Sequence, residues 1–102
     1  MAGEIVSTEQ LRDFLGADSE KDTEIAALRA SAIESISRST GIDWTRREKV
    51  DTFNEAVRVQ VWLSYYAVRD GAKNTQFLQD YLTGLICSLQ LTGHEEAESD
   101  GV

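Results

Sequence analysis

The sequence predicts an all-α domain, a small bundle of one short and three longer helices followed by a disordered acidic C-terminal tail. Three observations carry this prediction. Apolar residues recur at i, i+3, i+4 spacing in four segments, the mark of a helix with one buried face. Four of the seven glycines (Gly16, Gly41, Gly71 and Gly93) each stand just after such a segment, where glycine accepts the left-handed conformation that ends a helix. No proline interrupts the chain, and no stretch sustains strand-type alternation. The expected organisation is one domain over residues 1–93 and an acidic flexible tail over 94–102.

The first helix is expected from about Thr8 to Leu15. Ser7 is its cap and Gln10 stands where a capping-box partner belongs. Val6 and Leu11 are placed to form a hydrophobic staple. Leu11, Phe14 and Leu15 make its apolar face. The second helix starts at Ser19 or Asp22, either of which is a candidate cap, and runs to Thr40. Glu20, Asp22 and Glu24 suit the positive end of its dipole. Ile25, Leu28, Ala32, Ile33 and Ile36 share one face, and Arg29 falls inside it. Either the Arg29 stem packs while its head reaches solvent or a carboxylate, or the residue makes a buried ion pair or subunit contact.

Residues 41–50 read as a loop carrying Trp44 and the basic residues Arg46, Arg47 and Lys49. Such a cluster is either solvated surface or a contact for phosphate or an acidic partner, with Trp44 beside it. The third helix is expected from Thr52 to Asp70 with Asp51 as cap. Phe53, Val57, Val61, Tyr65 and Val68 form one stripe, and Ala56, Val59, Leu63 and Tyr66 a second. A helix apolar over most of its circumference belongs at the centre of a bundle or an assembly. Its polar strip holds Glu55, Arg58 and Arg69, with Trp62 in the middle as either half-buried core or inter-subunit contact. Arg58, one turn earlier, is spaced to stack on the indole.

The fourth helix is expected from Thr75 to Leu91, capped by Asn74 or Thr75. Phe77, Leu78, Tyr81, Leu82, Leu85, Ile86 and Leu89 make its apolar face. The opposite face, with Gln76, Gln79, Asp80, Thr83, Cys87 and Gln90, holds one charge, and charge depletion is typical of the centres of protein interfaces. Gly84 inside this helix costs roughly 1 kcal/mol relative to alanine, which a close backbone approach would explain.

Composition narrows the function classes. With 102 residues and 41% apolar content the chain supports one packed core, burying roughly 60–70% of its unfolded surface. One cysteine and one histidine leave a disulfide framework or a zinc cage without ligands. The longest uncharged run, between Asp80 and Glu95, is too short and too polar to cross a bilayer. The first residues lack a basic region followed by an apolar stretch, so an intracellular protein is expected. The net charge of −8 speaks against general nucleic-acid binding. That charge divides into −5 over residues 1–24, +2 over 25–49, zero over 50–73 and −5 over 74–102.

No catalytic constellation emerges. Cys87 has no base near it in its helix to activate the thiol. His94 stands at a helix end, where it complements the dipole. The alternating acids Asp18, Glu20, Asp22 and Glu24 lack the glycine and closing glutamate of a calcium loop. No glycine-rich phosphate loop is present. The expectation is a protein that is not an enzyme and uses no cofactor and no metal.

The order of the segments adds a family resemblance. A short capped helix at Ser7-Thr8-Glu9-Gln10-Leu11 precedes an acidic turn at residues 18–24. A long helix follows and closes in Ser39-Thr40-Gly41. The third helix ends Tyr65-Tyr66-Ala67-Val68-Arg69-Asp70, ahead of a leucine-rich last helix. Over residues 4–91 the chain resembles the small head–tail connector (adaptor) proteins of long-tailed double-stranded DNA phages and related prophage elements. It departs from their pattern at Arg29, where an aliphatic residue is usual, and in lacking the proline often found before the last helix.

The resemblance implies a ring of identical subunits, commonly dodecameric, stacked under the portal protein at the capsid vertex. Such a ring extends the DNA channel without sequence-specific binding and offers a platform for the stopper or tail-completion protein. It would lie at the head–tail interface of the virion, reached from the host cytoplasm during assembly, with no membrane involved. Family members bring no catalytic residues. The expected subunit or portal interface comprises Arg29, Arg58, Trp62, Tyr66, Arg69, Gln76, Gln79 and Thr83. The expected partner-contacting loop comprises Trp44, Arg46, Arg47 and Lys49. An alternative is a small acidic regulatory module of the antitoxin or anti-activator type, covering one partner surface with the same apolar stripe. A DNA-binding role for the basic loop is the third class.

Overall fold

The computed structural model describes residues 4–47, 50–70 and 76–100, and their side chains except at 67–70 and 92–100. Four α-helices follow in order: α1 (Thr8–Leu15), α2 (Asp22–Thr40), α3 (Asp51–Asp70) and α4 (Gln76–Asp100). Short 3₁₀ turns at Ser19–Lys21 and Trp44–Arg46 precede α2 and α3. This is the expected all-α domain of one short and three longer helices.

Local chemistry sets the first boundaries. Ser7 Oγ accepts from the Gln10 N–H at 3.1 Å, while Gln10 Oε1 accepts from the Ser7 N–H at 2.9 Å. The capping box is therefore closed in both directions, satisfying two of the donors that a helix start leaves open. Both members of the staple, Val6 and Leu11, are buried. Gly16 (φ +67°) and Gly41 (φ +71°) end α1 and α2 in left-handed conformation, as their sequence positions predict.

The start of α2 differs from expectation. Neither Ser19 nor Asp22 caps it: Ser19 opens the 3₁₀ turn, and Lys21 occupies the cap position without a side-chain bond. The Asp22 carboxylate instead accepts from Arg12 Nη1 at 2.8 Å, an ion pair that ties α1 to α2. Helix α3 begins at Asp51, one residue before the expected start. Asp51 lies in its first turn, and the Val50 carbonyl accepts the Asn54 N–H at 2.7 Å.

Helix α3 packs against each of the other three helices, and α2 also meets α1 and α4. No residue from Phe53 to Tyr66 is fully exposed, so α3 is central as its apolar circumference predicts. The core joins Leu11 and Leu15 of α1, Ile25, Ala32 and Ile36 of α2, and Phe53, Val57 and Val61 of α3. Leu82 and Leu89 of α4 complete it.

Trp44 belongs to this core and not to a partner-contacting loop. Its ring is 2% exposed and stacks on Phe53 with centroids 5.4 Å apart. Its Nε1–H donates to Thr40 Oγ1 at 2.9 Å, and Thr40 Oγ1 donates to the Ile36 carbonyl at 2.9 Å. The corner between α2 and α3 thereby buries two polar groups with their hydrogen bonds made.

Arg29 is half-buried, and its Nε donates to the Val6 carbonyl at 2.6 Å, a backbone partner that the sequence reading did not offer. Asn54 of α3 grips the same extended segment: its Oδ1 accepts the Val6 N–H and its Nδ2 donates to the Glu4 carbonyl, both at 2.9 Å. A segment outside any helix thus has its backbone groups met by side chains from α2 and α3.

At the C-terminal end, α4 does not stop at Gly93 but continues in helical backbone to Asp100. No proline follows, and Glu95, Glu96, Ala97 and Glu98 are good helix formers. The acidic stretch expected as a separate tail thus begins within the last turns of α4. The expected caps Asn74 and Thr75, and the expected helix stop Gly71, lie outside the described residues.

Candidate interaction surface

Helix α4 offers the most distinctive surface. Leu82 and Leu89 face the core, with Leu78, Leu85 and Ile86 packed partly against it. Phe77, Tyr81 and Leu91 do not follow them: they are 77%, 43% and 68% exposed. The exposed side therefore carries Phe77, Tyr81, Gly84, Ser88 and Leu91, beside the polar row of Gln76, Asp80, Thr83 and Cys87. Between Gln76 and Leu91 the single formal charge is Asp80, whose carboxylate accepts from Gln76 Nε2 at 2.9 Å.

Gly84 sits in the middle of this side. A Cβ added there would meet no atom within 4 Å, so no close approach inside the chain accounts for the glycine, contrary to expectation. Thr83 Oγ1 donates to the Gln79 carbonyl at 3.0 Å, which keeps its hydroxyl on its own helix. Gln90, expected on the outer polar face, is half-buried and donates to the Ser39 carbonyl at 2.8 Å. Ser39 is the next-to-last residue of α2, so the turns of α4 beyond Gln90 run past the end of α2.

A second group lines one edge of α3. Arg58 Nη1 pairs with Glu55 Oε2 at 3.3 Å, and Glu55 Oε1 accepts from the Tyr81 hydroxyl at 3.4 Å. The Glu55 charge, with desolvation and this hydrogen bond, raises the Tyr81 phenol above the ordinary tyrosine range. Trp62 lies half-buried with its ring 4.9 Å from that of Tyr66. The Tyr66 hydroxyl donates to the Leu15 carbonyl at 2.5 Å, docking the end of α1. Arg58, Trp62 and Tyr66 thus share an edge that the Glu55–Tyr81 contact joins to α4.

Other expected site residues are not gathered here. Arg29 bonds the Val6 carbonyl of the segment before α1. Arg46 is exposed and faces Asp43 at 3.5 Å, Arg47 is half-buried, and Trp44 is buried beneath them. The Arg69 side chain and Lys49 lie outside the described residues. Asp43 is held below the ordinary aspartate range by the Thr45 hydroxyl first, then the Thr45 N–H and the Arg46 charge.

Phe77 and Tyr81, expected on the apolar face of α4, are thus exposed, and Leu91 was not expected among the apolar residues of either face. The available signal was the width of the α4 apolar face, which is more than one helix can bury against two neighbours. Phe14, assigned to the inner face of α1, is likewise 50% exposed, because a helix of eight residues covers only Leu11 and Leu15. Among the described residues no group of three or more His, Cys, Asp or Glu side chains is placed to hold a metal ion. Among them, too, no helix is long and apolar enough to cross a membrane. No protein-family model matches the chain, and searches of curated proteins and of solved structures return no match.

Proposed function

We propose that this chain is a head–tail connector of a long-tailed double-stranded DNA phage particle or related element, acting by assembly and not by catalysis. In this reading identical subunits form a ring beneath the portal, extend the DNA channel and present a platform to the stopper or tail. The observation that supports it most is the exposed side of α4, which is apolar and nearly uncharged on a chain of net charge −8. Charge depletion around exposed aromatic and aliphatic anchors is the composition of an interface centre. The order of helices and helix-end motifs over residues 4–91 supports it as well.

The acidity has a role in the same reading. DNA passing through a channel is slowed by attractive phosphate contacts, and a predominantly acidic subunit makes few of them. Sedimentation velocity of the protein alone and mixed with the portal protein of the same phage or prophage element tests the proposal. The expected result is a portal-bound complex with many copies of the chain. A chain that never binds the portal overturns the reading. A discrete one-to-one or two-to-two complex with another protein replaces it by the regulatory-module alternative.

A further inference from the structure

We propose that the free protein pairs with a second copy of itself, α4 against α4, antiparallel about a two-fold axis passing at Gly84. The inference rests on the exposed side of α4 alone and holds whether or not the chain serves a portal.

Its first support is spacing. Phe77 and Leu91, the two most exposed large apolar residues described, lie seven residues before and seven after Gly84. Residues seven apart share one side of a helix, so all three lie on one line. A two-fold axis at Gly84 sets Phe77 of each copy opposite Leu91 of the other. At the crossing, the missing side chain lets the two backbones approach closely, which accounts for a helix-interior glycine with open space around it.

Its second support is charge. Two chains of net charge −8 repel, and the described α4 side is a surface on which copies meet without opposing acids. Asp80 is bonded by Gln76, and the Tyr81 hydroxyl donates to Glu55. Antiparallel pairing also puts Glu95, Glu96, Glu98 and Asp100 of the two copies at opposite ends of the pair, where a parallel arrangement would set them side by side. The same face cannot meet a second copy and a ring neighbour or portal at once, so pairing and incorporation into a ring are alternatives.

Sedimentation velocity and light scattering of the full chain over a concentration series test the inference. A monomer–dimer equilibrium is expected, weakened at least about tenfold by Phe77→Glu or Leu91→Glu. Both positions are largely exposed, so circular dichroism should be unchanged. In a Cys87→Ser background, Phe77→Cys together with Leu91→Cys sets a cysteine pair at each end of the crossing, and mild oxidation should trap a covalent dimer through residue 77 of one copy and residue 91 of the other. A monomer at all concentrations, a closed ring formed without portal, or a dimer indifferent to both charge substitutions overturns the inference. Portal binding by a chain that is always monomeric overturns the pairing and leaves the connector reading intact. A dimer with no portal binding does the reverse.

Discussion

Thr40 and Trp44 show how much one hydroxyl contributes at a helix corner. The Trp44 N–H is buried and its partner is Thr40 Oγ1, which also donates to the Ile36 carbonyl. Thr40→Val keeps the shape but strands the indole N–H, so chemical denaturation should show a loss of about 1–3 kcal/mol. The aromatic near-ultraviolet signal of the Trp44–Phe53 stack should survive in the folded variant. Asp43 offers a pH test at the same corner. Its pKa is depressed in the folded state, so its contribution to stability is fully present above the unfolded aspartate range and is lost as pH falls through the lower folded value. An NMR titration should place the Asp43 carboxyl below ordinary aspartates, and Thr45→Val should bring it back toward them. Trp44 also marks a limit of sequence reading. A tryptophan among arginines looks like surface until its hydrogen bond to a residue four positions back is known, and that bond depends on how the chain turns at Gly41.

The helix ends separate what is written locally from what is decided by packing. The α1 capping box was legible because all its atoms come from Ser7 and Gln10, and no distant residue competes for them. Ser7→Ala should therefore destabilise the domain by about 1 kcal/mol. The start of α2 was not legible, because the Asp22 carboxylate is taken by Arg12 from another helix. Arg29 was ambiguous for the same reason, its partner being a backbone carbonyl 23 positions away. In α4 the periodicity identified the helix but not which apolar residues it buries, since that depends on where α2 and α3 lie. Gly84→Ala should raise the melting temperature of dilute protein, worth about 1 kcal/mol, because the new methyl meets open space and glycine's helix penalty is removed. A fall that appears only at high protein concentration would show that Gly84 is held by a contact absent from the single chain.

At the scale of the whole molecule, a central helix and an unequal charge distribution divide the work. Because α3 touches every other helix, its core positions couple them all. Phe53→Ala, at a site with no solvent exposure, should cost about 3–5 kcal/mol, a large share of the stability of a domain this size. Helical and aromatic signals should still be lost in one transition. The charge makes a separate and sharper prediction about assembly. If copies meet through the uncharged side of α4, electrostatics opposes association as a long-range repulsion between chains of net charge −8. Raising salt from about 0.01 M to about 1 M shortens the screening length from roughly 30 Å to roughly 3 Å and removes that repulsion. The dimer fraction at fixed protein concentration should therefore rise with salt. The opposite competing contact, Arg46 and Arg47 of one copy against the acids near residue 20 of another, would be attractive at low salt and would weaken as salt is added. The sign of the salt dependence, read by sedimentation equilibrium, thus distinguishes an apolar α4 contact from a charge-paired one without changing a single residue.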